Sequence, residues 1–299
     1  MLQNKKNNQL SPAIYVVSTP IGNLSDITFR AIEVLKKSDY ILCEDTRHSL
    51  KLLNFYNIKN KLISFHKFNE KKNCNEILND IRNGKSISLI SDAGTPLISD
   101  PGEFLIKSAR SLGIKVIPIP GPSATIAAIS VSGFDTKFYF YGFLSKKNNE
   151  RDKELEILSK INSSIILYLP ARDLKKYLNQ FLLFFRDKPI FIAREITKLH
   201  ETYLLGTADE LIKIISKDDF KGEITLVIDN KSVDSTVSNF DLKNEIKLLL
   251  NKMSSKDIAE YLAVKFKMSK KGIRNTLCFF TSCSSKEGLT PTTTFNVLA

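Results

Sequence analysis

The sequence predicts an α/β protein of two domains followed by a helical C-terminal segment. Three observations carry this. Short β-branched runs alternate with helical apolar patterns from Ile14 to Ile119, as in a largely parallel sheet wrapped by helices. The alternation starts again after Gly133. From Phe240 onward the strand-like runs stop and helical patterning takes over.

Taken in order, Ile14–Ser18 reads as the first strand. Ser25 or Asp26 can cap a helix over Ile27–Lys37 that carries Ile27, Ala31, Val34 and Leu35 on one face. Tyr40–Cys43 is a strand, followed by a helix near Ser49–Tyr56. Strands at Leu62–Phe65, Ser86–Ile90 and Lys115–Ile119 alternate with helices at Asn75–Asn83 and Leu105–Leu112. In the second half, strands are expected at Phe138–Tyr141, Ile165–Leu169, Ile190–Ala193, Glu201–Leu205 and Glu223–Ile228. Helices are expected at Glu150–Ile161, Leu174–Phe185 and Ala208–Ser216. Leu242–Asn251 is a further helix, Ser255 caps another with Ile258, Ala259 and Leu262 apolar, and MSKK at Met268–Lys271 turns into a third. This gives a domain over 13–120, a second over 121–232 and a helix-turn-helix-like segment over 240–281. The PGP at Pro120–Pro122 marks the boundary between the first two. Residues 1–12 and the Ser/Thr-rich 282–299 are expected to be disordered.

Bulk properties bound the function. The 299 residues carry 44 Lys and Arg against 32 Asp and Glu, a net charge of +12, which suits a polyanionic partner such as nucleic acid or a membrane surface. Abundant Lys, Asn and Ile also fit an AT-rich genome, so charge alone leaves both explanations open. Residues 241–299 hold ten bases against five acids. The four cysteines (Cys43, Cys74, Cys278, Cys283) and three scattered histidines show no metal spacing and no disulfide framework, so no metal is expected. The apolar stretch Ile114–Val131 is broken by Pro118, Pro120, Gly121 and Pro122, which argues against a membrane span. No signal peptide is legible, so a cytoplasmic protein is expected.

Four strand-end loops are the candidates for the chemistry; each alone also reads as a tight turn, and several together point to a bound small molecule. SDAGTPLISDPGE (Ser91–Glu103) follows an apolar run. Its Asp100, Pro101 and Glu103 read as N-cap, N1 and N3 of a helix with a capping box. The preceding SDAGTP has no such structural reason, and Gly94 lets backbone approach a ligand. STPIGNLSD (Ser18–Asp26) and PGPSAT (Pro120–Thr125) occupy equivalent positions, and ligands in open α/β sheets bind beyond the carboxyl ends of strands. None of them contains GxGxxG or a Walker loop. EDTRHS (Glu44–Ser49) reads either as a helix start capped by Asp45 or Thr46, or as a site where Arg47 binds phosphate and Asp45 or Glu44 assists proton transfer.

TPIGNLSDIT, EDTRHS, SDAGTPLISDPG and PGPSA, in this order, resemble the ribosomal RNA small subunit methyltransferase I family. AREITK (Ala193–Lys198), Glu201 and KGEITLVI (Lys221–Ile228) extend the resemblance over roughly Ile14–Leu277. It implies the tetrapyrrole-methylase fold, in which two α/β domains hold S-adenosylmethionine in the cleft between them. It also implies 2′-O-methylation of a cytidine in the decoding region of 16S rRNA in the small ribosomal subunit, and a homodimer. By carry-over, Pro20, Asp92, Ala93, Gly94, Ile98, Ser99, Ser123, Ala124 and Tyr168 are expected to meet the cofactor. Asp45, Arg47 and Asp100 are expected to handle the acceptor. The chain departs from the family at YLPARD (Tyr168–Asp173), where a Tyr-Glu-Ser-Pro-His-Arg-like segment is usual, and at Arg274, where the last helix usually has a Tyr. Two other readings use the same residues: a tetrapyrrole methylase of the same fold, and an RNA-binding relative that has lost catalysis. Cofactor binding separates the last from both enzymes, and RNA binding separates the two enzymes.

Overall fold

The computed structural model describes residues 9–215, 221–231, 245–246, 248–249, 253–265 and 273. The chain divides into two compact units, Met1–Lys231 and Ser232–Ala299. The helix expected from Met268, most of Leu242–Asn251 and the C-terminal tail lie outside the described residues.

The first unit contains two five-stranded sheets. Strands β1 (Ala13–Val17), β2 (Tyr40–Cys43), β3 (Leu62–Ser64), β4 (Ser86–Leu89) and β5 (Val116–Ile119) form the first, in the order β3-β2-β4-β1-β5. Every pairing is parallel. Parallel sheets are covered on both faces, and the strands show it: β1, β2 and β4 are buried throughout. Alternate residues serve opposite layers. Ala13, Tyr15 and Val17 pack with α1 (Phe29–Lys37) and α2 (Thr46–Phe55); Ile14 and Val16 pack with α3 (Glu70–Arg82) and α4 (Glu103–Ser111).

The second sheet is mixed. Strands β6 (Phe138–Phe143), β7 (Ser164–Pro170), β8 (Ile190–Arg194), β9 (Thr202–Gly206) and β10 (Glu223–Asp229) follow the order β6-β7-β10-β8-β9. Only β6–β7 is parallel. One face packs on α6 (Asn148–Ser159), α7 (Leu174–Phe184) and α8 (Ala208–Ile215). The other face, with Ile166, Phe191, Ala193 and Val227, packs on α5 (Ala124–Ser132). The sequence pattern does not predict α5. ATIAAISVS is apolar nearly all round, so it lacks the polar stripe that marks a surface helix, and prolines precede it.

The apolar patterning places the starts of α2 and α3 three and five residues too late. α2 starts at Thr46 because Asp45 caps it, its carboxylate accepting the Arg47 N–H at 2.8 Å. α3 starts at Glu70, five residues before the expected Asn75. The second unit holds α9 (Ser255–Lys265), whose Ile258, Ala259 and Leu262 are buried with Ile246 and Ile273. Among the described residues, no helix is long and apolar enough to cross a membrane.

Candidate functional site

The first sheet creates a crevice at the carboxyl ends of β1 and β4. These strands are neighbours, yet β1 leads to α1 on one face and β4 leads toward α4 on the other. Loops leaving in opposite directions open a ligand-sized gap. Here three loops are stitched across it. Thr19 and Gly94 exchange backbone hydrogen bonds at 2.9 and 3.1 Å. The Ser18 and Thr95 hydroxyls share one at 3.0 Å, and Thr95 Oγ1 donates to the Pro122 carbonyl at 3.2 Å. Gly121 is required for this: a Cβ there would lie 2.9 Å from Cβ of Ser18. The fourth loop joins through Asp92, whose carboxylate accepts the Asp45 N–H at 3.3 Å.

A cleft of about 440 Å³ opens at this junction, a volume suited to a small-molecule ligand. Asp92, Ala93, Gly94, Ile98, Ser99, Asp100, Ser123, Ala124 and Tyr168 all line it. Pro20, Asp45 and Arg47 do not, although Ile21 beside Pro20 does. The opposite wall comes from the second sheet: Phe143, Leu169 and Pro170, the 193–198 segment and Gly222–Thr225. In the YLPARD segment, Tyr168 shares a 2.7 Å hydrogen bond with Thr125, while Arg172 projects outward at 81% exposure beside Asp173. The ring of Tyr168 packs edge-on against Phe140 and Phe143.

AREITK and KGE, nearly thirty residues apart, form one structural unit. Lys198 Nζ bridges Glu195 at 2.9 Å and Glu223 at 3.0 Å. Glu195 also accepts the Glu223 N–H at 2.9 Å and lies over Gly222, where a Cβ would approach its carboxyl carbon to 2.5 Å. STPIGN docks on this unit: the Asn23 N–H donates to Thr197 Oγ1 at 3.0 Å, and a Cβ at Gly22 would lie 2.4 Å from Cγ of Lys198. Reading the motifs separately gives no hint of this contact.

The cleft stores backbone strain. Leu97, Ser99, Glu195 and Thr197 have positive φ, between 52° and 74°, and all flank it. Side-chain-bearing residues adopt such angles at a cost of order 1–3 kcal/mol each, and only where surrounding contacts enforce them.

Asp100 is not the helix cap its sequence context predicts. α4 starts at Glu103 after Gly102, whose φ is +124° and which makes no side-chain cap bond. That turn carries Asp100 away from the helix end. The Leu105 N–H is satisfied instead by buried Glu70 of α3, at 2.9 Å. Asp100 faces the cleft, where burial raises its carboxyl to about 6; a hydrogen bond from Ser91 opposes this, and the charges of Glu44 and Asp92 reinforce it. Asp45 behaves oppositely. Arg47 donates to it from Nε at 3.1 Å and Nη2 at 2.8 Å, lowering it to about 2. Arg47 itself remains 89% exposed.

Chemically, the cleft joins a small-molecule volume to an excess of carboxylates: Asp92, Asp100, Glu195 and Glu223 against Lys198. That suits a cationic ligand. Among the described residues no group of His, Cys, Asp and Glu is arranged to hold a metal ion.

Residues 13–212 match the family described as Tetrapyrrole (Corrin/Porphyrin) Methylases. The chain is 38% identical over 262 residues to the ribosomal RNA small subunit methyltransferase I of Bacillus subtilis, covering 87% of each. It is 44% identical over 219 residues to the same enzyme of Thermotoga maritima, covering 73% of this chain and 98% of that one. With that of Mycoplasmopsis pulmonis the identity is 46% over 215 residues, covering 72% and 96%. Among solved structures, a diphthine synthase superimposes with a TM-score of 0.57 at 14% identity, covering 72% of this chain and 89% of that one. The uroporphyrin-III-C-methyltransferase of Thermus thermophilus gives 0.52 at 17%, covering 73% and 94%. At these identities the structures share the fold alone.

Proposed function

Because the chain belongs to the ribosomal RNA small subunit methyltransferase I family, within the tetrapyrrole methylases, we propose that it methylates the ribose 2′-oxygen of a cytidine in the decoding region of 16S rRNA, using S-adenosylmethionine. The carrying observation is the cleft, where the loops matching the family are tied to one another around a volume suited to a small cationic ligand.

When bound, S-adenosylmethionine supplies a methyl group already activated on a sulfonium. The protein's part is orientation and proton handling. Asp92–Gly94 and Ser123–Ala124 present backbone and small side chains to the cofactor. The carboxylate-rich lining favours its cation. A ribose hydroxyl is a poor nucleophile until its proton leaves, and a base works best with a pKa near the working pH. Asp100, raised to about 6, is ionised at neutral pH yet basic enough for that role. Asp45, lowered to about 2, is a weak base; with Arg47 it forms a fixed pair beside Asp92, suited to holding an acceptor phosphate through Arg47. The same reading carries a division into 13–120 and 121–232 about the cleft, a cytoplasmic location and a homodimer.

The test is transfer from radiolabelled S-adenosylmethionine to unmodified small ribosomal subunits, with the labelled nucleotide mapped. Label on a 2′-oxygen of a decoding-region cytidine is the expected result. Cofactor binding without label would redirect the reading to another acceptor, such as a tetrapyrrole. Neither binding nor label would mean an inactive RNA-binding relative.

A further inference from the structure

The turn between β3 and α3 holds an aromatic ring in water. Phe68 is 95% exposed. Its backbone is not loose. The Phe65 N–H donates to Cys43 at 2.8 Å, the Asn69 carboxamide accepts the His66 N–H at 2.8 Å, and its Nδ2 donates to the Ser64 carbonyl at 3.0 Å. A rigid turn that presents a phenyl ring to solvent forgoes the burial that stabilises such rings elsewhere.

The surroundings continue the pattern. The His66 ring meets Phe68 edge-on with centroids 6.0 Å apart. Lys71, three residues on, places its ammonium 5.9 Å above the ring of Phe104, itself 41% exposed at the start of α4. Glu70 fastens the two helix starts together through Leu105. Within 66–72 and 103–107, Lys67, Lys71, Lys72 and Lys107 are exposed, against Glu103 as the one exposed acid. α3 and α4 both start at the carboxyl edge of the parallel sheet, and Phe104 follows cleft-lining Asp100 by four residues. This aromatic and basic strip therefore lies at the same carboxyl edge of the sheet as the cleft.

We infer that Phe68, Lys71 and Phe104, with Lys67, form a binding strip for single-stranded RNA beside the acceptor ribose: a flanking base stacks on Phe68 while the lysines meet the phosphates. The inference rests on the RNA reading above. Bases stack on exposed aromatics without sequence preference, and lysines bind the backbone at a cost in salt sensitivity.

The experiment compares the full-length chain with Phe68→Ala and Phe68→Tyr, using a single-stranded decoding-region oligoribonucleotide that carries 2-aminopurine, and whole small subunits. Phe68→Ala should weaken binding to both by about tenfold. Phe68→Tyr should restore it, with S-adenosylmethionine affinity and melting temperature unchanged. Lys67→Gln should flatten the slope of log affinity against log salt by about one. Unchanged oligonucleotide binding by Phe68→Ala overturns the strip. So does a loss confined to whole subunits, which would assign Phe68 to a ribosomal protein. A wild-type chain that binds neither RNA would overturn the RNA reading itself, a failure visible without any variant.

Discussion

Asp100→Asn should stabilise the protein at neutral pH while abolishing methyl transfer. Folding raises this carboxyl from 3.8 to about 6. Between those values the folded chain holds a proton that the unfolded chain has released. Stability conferred by this group is therefore present below about pH 4 and lost as pH rises through 6. The difference of about two units corresponds to at most roughly 3 kcal/mol. Asp100 keeps partial solvent contact, and screening halves this to about 1.5 kcal/mol. Asparagine removes the charge and can still accept the hydrogen bond from Ser91. For a unit of this size, the melting temperature should rise by about 4 °C at pH 8. Urea unfolding of both proteins at pH 8 and pH 4.5 is the assay, with stabilisation shrinking at the lower pH. Destabilisation at pH 8 would refute the reasoning, because it would mean the ionised carboxylate makes net favourable contacts in the folded cleft. A stabilised but inactive variant is the signature of a group kept for function at a cost in stability.

Three further outcomes follow from the geometry. Arg47→Ala should lower methylation while leaving cofactor affinity nearly unchanged, measured by calorimetry, because Arg47 lies outside the cleft lining; a large affinity loss would place it in the cofactor site. Glu70→Ala should cost about 1–2 kcal/mol in urea unfolding by leaving the Leu105 N–H unpaired, and an unchanged midpoint would show that water replaces the carboxylate. Gly102→Ala should destabilise by more than about 1 kcal/mol, since φ is +124° and the new Cβ would approach Leu97 Cδ2 to 2.7 Å; full stability would mean that the 97–102 loop rearranges freely.

The strand and helix order was legible because each β-branched run and each amphipathic stripe is a local pattern, and hydrophobic burial acts on that pattern wherever the chain goes. The cleft-lining loops stood out for a related reason. Glycines and small hydroxyl residues clustered at several strand ends serve tight turns or close backbone approach, and either use leaves a local mark. α5 is not legible, because a helix that buries one face on the second sheet and is apolar on the others has no periodic contrast.

Partnership was decided only in three dimensions. Asp100 looked like a cap because a cap needs only its own neighbours. The fold gives that task to Glu70, thirty residues earlier, and leaves Asp100 to be desolvated in the cleft. Lys198, Glu195 and Glu223 read as separate charges until β8 and β10 pair and bring them together under Gly22. The sequence determined which chemical groups this protein has and which local elements carry them. The tertiary structure decided which of those groups meet and which lose water, because pKa shifts, strain and close approach depend on contacts between residues far apart in the chain.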